Sequence, residues 1–376
     1  MESQTFMLWF QLDQERLADH ENEILSRVKA LPGLFWTGTW TTATEQHLDD
    51  GGFLYIAVNS DGSHAVMRLY QSGFLTLDLQ RLAARQLPEK PHGSSGTKIR
   101  LERMKKHLGK YCLLAKSIPL HVQRSTEPPW PFMMTGDERL IERDFTELVF
   151  ETTSRWQNIK IFKSKQCGNV LYLDDDVMIG ESDLIYTETV LGLDRNDFNG
   201  KTVLILGGGD GGLLHELITR TRPAFVTMVE IDEEVIKACR THMRSICGSE
   251  MDQYEGENYK IEIGDCIEYM KRACNRHATF DYVVNDLTEF NVDKEKYGFE
   301  YDFVTSSVIL ELSIKVLSPD GKYLARGNTT SSTEYGRETK KSLQRMGLEF
   351  NILTKYVPSF QEVYCFIEAW KEKTPS

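Results

Sequence analysis

Residues 203–215 read VLILGGGDGGLLH, an aliphatic run that ends in five glycines interrupted once, by Asp210. A glycine-rich turn between a strand and a helix ordinarily cradles phosphate on its backbone N–H groups. Asp210 sets a negative charge where that phosphate would lie. Three further strand-like runs end in the same way: VTMVEID closes on Glu230 and Asp232, KIEIGD on Asp265 with Cys266 next, and DYVVND on Asp286. A carboxylate at a strand end can accept from ribose hydroxyls or an adenine amino group, pair with an ammonium, or take a proton as a general base. Gly207, Gly209 and Gly212 match GxGxxG, a weak signal shared by many nucleotide folds. Taken singly, each carboxylate also reads as an ordinary helix cap. Recurring at four strand ends, they describe an acidic crevice that repels a pyrophosphate and suits an adenosine whose remaining charge is positive. A sulfonium nucleoside of the S-adenosylmethionine type meets that description, with Asp210 left to pair with an ammonium on the ligand or its co-substrate.

These residues need a scaffold that brings strand ends together. From residue 181 onward the pattern alternates strand and helix: TVLIL and LLHELITRT, VTMVEID and EEVIKACRTHM, KIEIGD and CIEYMKRA, DYVVND and the FVTSSVILELSIKVL helix, then GKYLARG. Such alternation predicts βαβ units and a parallel sheet, whose ligands bind beyond the carboxyl ends of the strands. FNILTKYVP and EVYCFIEAW close the chain as two strands joined by a short turn, an antiparallel hairpin at one edge.

Upstream, residues 1–118 read as an α+β unit. TFMLWFQL is strand-like, Leu17, Ile24, Leu25 and Val28 recur at helical spacing, and GLFWTGTWTTAT, FLYIAV, HAVMRLY and FLTLDLQ follow as strands. A second helical pattern runs from Ile99 to Leu114 with a solvated basic face. Four prolines within 119–136 predict a linker there. Short alternating strands over 137–180 predict a small β-meander leading into a last domain over 181–376.

Composition narrows the function classes. The formal net charge of −12 argues against a nucleic-acid binder, which needs a basic face. No unbroken apolar run approaches the roughly 20 residues of a membrane span, and the start, MESQTFMLWFQLDQERL, lacks the basic region of a secretory signal. Seven cysteines without a CxxC pair, and nine histidines without HExxH, predict reduced thiols, a cytoplasmic protein and no metal site.

In chain order, QNIKIFKSKQCGNVLYL, ESDLIYTE, VLILGGGDGG, VTMVEID, DYVVNDLT and VPSFQE resemble the aminopropyltransferases, and within them the spermine synthases of animals. The similarity covers roughly residues 140–370. It implies a Rossmann-like, methyltransferase-type C-terminal domain and a decarboxylated S-adenosylmethionine donor, which is a co-substrate rather than a cofactor. It also implies an N-terminal domain similar to S-adenosylmethionine decarboxylase, through which the chain forms a homodimer. The implied reaction moves an aminopropyl group to spermidine and leaves methylthioadenosine. Its sulfonium donor is already activated, so no metal is required. The attacking amine must lose a proton, for which the resemblance implies Asp286 as base, with Tyr186 orienting the amine. It implies Gln157, Glu230, Asp265 and Cys266 around the nucleoside, and Asp210 and Glu362 facing ammonium groups of the polyamine. Phe360, which the resemblance places with Tyr186, Asp210 and Glu362 at the acceptor polyamine, stands where the family often has tyrosine, and Glu289, three residues after Asp286, stands where spermidine synthases carry an acid. Within this chemistry the ESDL and DLT stretches favour spermidine over putrescine as acceptor. A methyltransferase on the same fold needs a site for an amino-acid carboxylate, which Asp210 opposes.

Overall fold

The structure, a computed structural model, describes residues 2–83, 94–123, 132–287 and 307–372. It divides into two compact units, Met1–Pro131 and Phe132–Ser376.

In the first unit, strands Glu2–Leu12 (β1), Trp40–His47 (β2), Phe53–Asn59 (β3), His64–Leu69 (β4), Phe74–Ala83 (β5) and Cys112–Gln123 (β6) pair antiparallel in the order β2-β3-β4-β5-β1-β6. Every second residue turns to one face of a strand. Leu8, Phe10, Tyr55, Met67, Leu75 and Leu77 therefore share a core with Ile24, Leu25 and Val28 of the helix Glu21–Lys29 (α2), which follows Gln14–Asp19 (α1). Leu31–Phe35 (α3) and Ser94–Leu108 (α4) complete that layer.

Three sequence expectations for this unit are corrected. The start of GLFWTGTWTTAT is helical, because Leu31, Pro32 and Phe35 bury one face of α3 and Pro32 sits in its first turn, where proline is tolerated. The second helix ends at Leu108, not Leu114: Gly109 follows with φ of 57°, and Leu113 and Leu114 are exposed on β6. The stretch expected as a linker from 119 begins inside β6, with Pro119 opposite Phe6. A proline is accommodated there because β6 is an edge strand, where a missing N–H costs no ladder bond.

The second unit opens with a two-stranded ribbon, Phe132–Met134 (β7) and Leu140–Glu142 (β8). Phe145–Thr153 (β9), Asn158–Ser164 (β10), Gly168–Leu173 (β11) and Asp176–Gly180 (β12) then form an antiparallel meander. After Leu184–Leu191 (α5) come Thr202–Gly207 (β13), Gly212–Arg220 (α6), Phe225–Glu230 (β14), Glu233–His242 (α7), Arg244–Cys247 (α8), Tyr259–Ile263 (β15), Cys266–Asn275 (α9) and Phe280–Asp286 (β16). Ser307–Val316 (α10), Leu317–Thr329 (β17), Thr333–Arg345 (α11), Leu348–Val357 (β18) and Glu362–Lys371 (β19) complete it.

The large sheet runs β15-β14-β13-β16-β17-β19-β18, parallel through β17 and antiparallel at β19 and β18. Both faces are covered: Val203 and Ile205 pack into one core, Leu204 and Leu206 into another. The chain steps outward from β13 to β15 and then returns to β16 on the other side. That reversal opens a crevice beyond the ends of β13 and β16, where Gly207 and Asp286 stand opposite each other. Among the described residues no helix is long and apolar enough to cross a membrane.

Candidate active site

The glycines after β13 make room for neighbouring protein atoms. A Cβ on Gly207, whose φ is 79°, would stand 2.7 Å from the Asp286 carbonyl oxygen, and one on Gly209 would stand 2.9 Å from Glu230 Oε2. The Gly209 N–H donates to Glu230 Oε2 at 3.0 Å, and the Gly212 N–H donates to Asp210 Oδ1 at 2.8 Å. Two N–H groups of a turn that could hold phosphate are thus spent on carboxylates. The Asp210 carboxylate is held by the backbone of its own turn, where a phosphate would otherwise be cradled.

A cavity of about 1120 Å³ lies beyond these strand ends. Asp210, Glu230, Asp265, Asp286 and Tyr186 line it, as do Gln157 and Cys266 from either flank. Asp174, Asp232, Glu233 and Glu234 add further carboxylates at the wall, against the guanidinium groups of Arg155 and Arg326. The excess of acid favours a cationic ligand.

At the floor, the Tyr186 hydroxyl donates to Asp286 Oδ1 at 2.5 Å. Both side chains are buried, and Tyr186 is held edge-on by Phe360 and Phe366 at ring-centroid distances of 6.1 and 5.7 Å. Burial pushes the Asp286 carboxyl up to about 7, and the Asp210 carboxylate adds to that rise. The Tyr186 hydrogen bond and the Arg326 guanidinium oppose it. Burial likewise raises Asp210, opposed by N–H donors of its own turn. Burial, then the charge of Asp286, holds the Tyr186 hydroxyl far above the ordinary tyrosine range, so it stays a donor.

At the end of β14, burial lifts Glu230 to about 7, although its oxygens accept from the Gly209 and Asp232 N–H groups. Asp232 and Asp265 do cap helices, accepting from Glu234 N–H at 3.1 Å and Ile267 N–H at 2.8 Å. The second oxygen of Asp232 accepts from Gln157 Nε2 at 2.9 Å and from Ser154 Oγ at 2.6 Å, so the loop before β10 is tied to the end of β14. Burial pushes the Cys266 thiol up to about 12, which keeps it neutral.

Asp210, Tyr186, Gln157, Glu230, Asp232, Asp265, Cys266 and Asp286, all singled out from sequence, therefore surround one cavity. Phe360 and Glu362 do not line it. Phe360 backs Tyr186 and is 2% exposed. Glu362 is buried, and its Oε1 is taken up by the Gly136 N–H at 2.9 Å and the Thr329 hydroxyl at 3.0 Å. Glu289 lies outside the described residues. Sequence reasoning missed Arg326, which reaches the cavity from β17 because it shares a strand face with Leu324 of the Tyr186 core. It also passed over the carboxyl of Asp183, which carries no strand-end signal.

Residues 183–376 match the family model described as "Spermine/spermidine synthase domain", and residues 130–181 match "Spermidine synthase tetramerisation domain". The chain is 28% identical over 252 residues to a polyamine aminopropyltransferase of Aeropyrum pernix, covering 65% of this chain and 76% of that one. It is 27% identical over 239 residues to the spermine synthase SPE4 of Saccharomyces cerevisiae, covering 62% and 73%. The crystal structure of spermidine synthase from Thermotoga maritima superposes with a TM-score of 0.53 at 19% identity, over 68% of this chain and 84% of that one. The chain belongs to the spermidine/spermine synthase family. It is an aminopropyltransferase that uses decarboxylated S-adenosylmethionine.

Proposed function

We propose that the protein transfers the aminopropyl group of decarboxylated S-adenosylmethionine to spermidine, giving spermine and methylthioadenosine. The observation that carries the chemistry is the buried Tyr186–Asp286 pair at the floor of a carboxylate-rich cavity, with Asp210 on the same wall. An alkylammonium, with a pKa of about 10, has no lone pair until it gives up a proton. Asp286, raised to about 7, is matched to accept that proton near neutral pH. The amine nitrogen then forms a bond to the carbon next to sulfur, and the carbon–sulfur pair leaves on sulfur, which becomes a neutral thioether. Tyr186 aligns the nucleophile by fixing the carboxylate it approaches. Asp210 pairs with an ammonium of donor or acceptor. Glu230 accepts from the ribose hydroxyls, Asp265 from the adenine amino group, and Gln157 and Cys266 close the nucleoside pocket from the meander and from α9.

The ESDL and DLT stretches favour the longer acceptor, and the cavity volume leaves room for it beside a nucleoside. A product assay tests this: decarboxylated S-adenosylmethionine is offered with putrescine or spermidine, and the polyamines are resolved. Spermine formed from spermidine alone is the expected result. Spermidine formed from putrescine would move the acceptor assignment to the shorter amine while leaving the site roles intact.

For the first unit we propose the role of a decarboxylase-like domain that joins two copies of the chain. The sheet face opposite its helices carries Met7, Trp9, Leu54, Ile56 and Val66, all only partly buried, around Asp78, whose carboxyl burial raises. Self-association buries such a surface. Sedimentation should give a dimer for the full chain and a monomer for residues 132–376. An unchanged subunit count after that truncation would move the interface elsewhere.

A further inference from the structure

Asp183 stands at the N-cap of α5, where an aspartate ordinarily turns its carboxylate onto the first N–H groups of its own helix. It does not do so: no side-chain cap bond is made. The carboxylate is 1% exposed and turns away from the helix, toward a turn 176 residues further along the chain. Its Oδ1 accepts from the Ser359 N–H at 2.9 Å and the Ser182 hydroxyl at 3.1 Å. Its Oδ2 accepts from the Gly180 N–H at 2.7 Å and from the Ser359 hydroxyl. Four donors thus satisfy a carboxylate that burial alone would make costly.

The second partner of this contact is the turn between β18 and β19. Ser359 is itself 1% exposed, and its carbonyl oxygen accepts from Arg143 Nη1 at 2.6 Å. The next residue, Phe360, packs against Tyr186, three residues into the helix that Asp183 starts. The Tyr186 N–H donates to the Asp183 carbonyl at 2.8 Å. Asp183 therefore grips both supports of Tyr186: the first turn of its helix and the loop that carries the ring behind it.

We infer that Asp183 is a positioning residue for the transfer reaction, acting through Ser359 and Phe360 to hold the Tyr186 hydroxyl on Asp286. It has no contact with the cavity and so takes no part in binding donor or acceptor. The inference rests on the proposed roles of Tyr186 and Asp286. Loss of the contact frees α5 and the turn to shift apart, and displacement of a reacting group by about 1 Å can cost on the order of 100-fold in rate.

The test uses the full chain with Asp183→Asn, Ser359→Ala, Tyr186→Phe and the Asp183→Asn/Tyr186→Phe double variant. Each is checked for an unchanged melting transition, and Ser359→Ala, which removes one hydroxyl, is the fallback where Asp183→Asn folds poorly. Asp183→Asn should lower kcat by about tenfold to 100-fold, with the donor KM within about threefold. It should also move the acidic limb of the kcat/KM profile to higher pH, because Asp286 loses a donor to its charged form. In the Tyr186→Phe background, Asp183→Asn should add less than about threefold, since both changes remove the same alignment. An equal effect in the two backgrounds, or a loss carried by the donor KM, overturns the positioning role. A Tyr186→Phe variant with unchanged kcat and pH profile would overturn the reading of Tyr186 itself, and the inference with it.

Discussion

Asp286→Asn is expected to lower kcat/KM by about 100- to 10,000-fold, the usual range for removing a general base. That loss corresponds to about 3–5 kcal/mol on the barrier. An asparagine keeps the shape and can still accept from the Tyr186 hydroxyl through its carbonyl oxygen, so the cavity should survive the change. What it cannot do is take the proton of an alkylammonium. Methylthioadenosine, which has no reacting amine, should bind the variant within about threefold of the parent protein. Steady-state kinetics with isothermal titration of methylthioadenosine separates the two effects. Activity within tenfold of the parent, with nucleoside binding intact, would falsify the assignment of Asp286 as the base. Loss of nucleoside binding together with activity would point to a structural role.

The second large effect is a pH dependence of donor binding. Asp286 and Glu230 are each raised to about 7, both chiefly by burial, with the Asp210 carboxylate adding to Asp286. A carboxyl raised in this way holds its proton more tightly folded than unfolded. Its contribution to stability is therefore present at low pH and lost as pH rises from the ordinary carboxylate range through about 7. The ligand-free protein should lose stability across that window. A cationic donor reverses the balance, because it favours the ionised carboxylates. Binding should release protons near pH 6.5 and tighten by about tenfold between pH 6 and pH 8 for each carboxyl engaged. On the proposed roles, decarboxylated S-adenosylmethionine would face both groups, whereas neutral methylthioadenosine would engage Glu230 without bringing a cation to Asp286. Calorimetry of both ligands in buffers of different ionisation enthalpy should give the larger proton release and steeper pH dependence with the cationic one. Affinities flat from pH 6 to 8 would remove the linkage.

The sequence by itself determined a good deal. Short apolar strand runs alternating with helices from residue 181 onward left a parallel sheet as the way to bury both strand faces, and the carboxylates at the ends of β13, β14, β15 and β16 follow from where those runs stop. Their acidity argued against a phosphate cradle from sequence alone, because charge is a property of residue type. The roles expected of Tyr186, Gln157 and Glu362 were not legible in that way. A tyrosine at a helix start or a glutamate in a hairpin means nothing until its neighbours are known, and only the resemblance to a family drew attention to them.

Tertiary structure decided the rest, and the reason is distance along the chain. Tyr186 meets Asp286 across 100 residues, Gln157 meets Asp232 across 75, and Asp183 meets Ser359 across 176. Local propensity carries no information on such pairs. The same is true of Glu362: an acid expected to face a polyamine has its Oε1 occupied by Thr329, adjacent only once β19 lies beside β17, and by Gly136 of the turn between β7 and β8. Burial is also a property of the assembled fold. The carboxylate of Asp286 is an ordinary strand-end acid in sequence, and its carboxyl rises to about 7 only because the packed strands withdraw water from it and set Asp210 nearby.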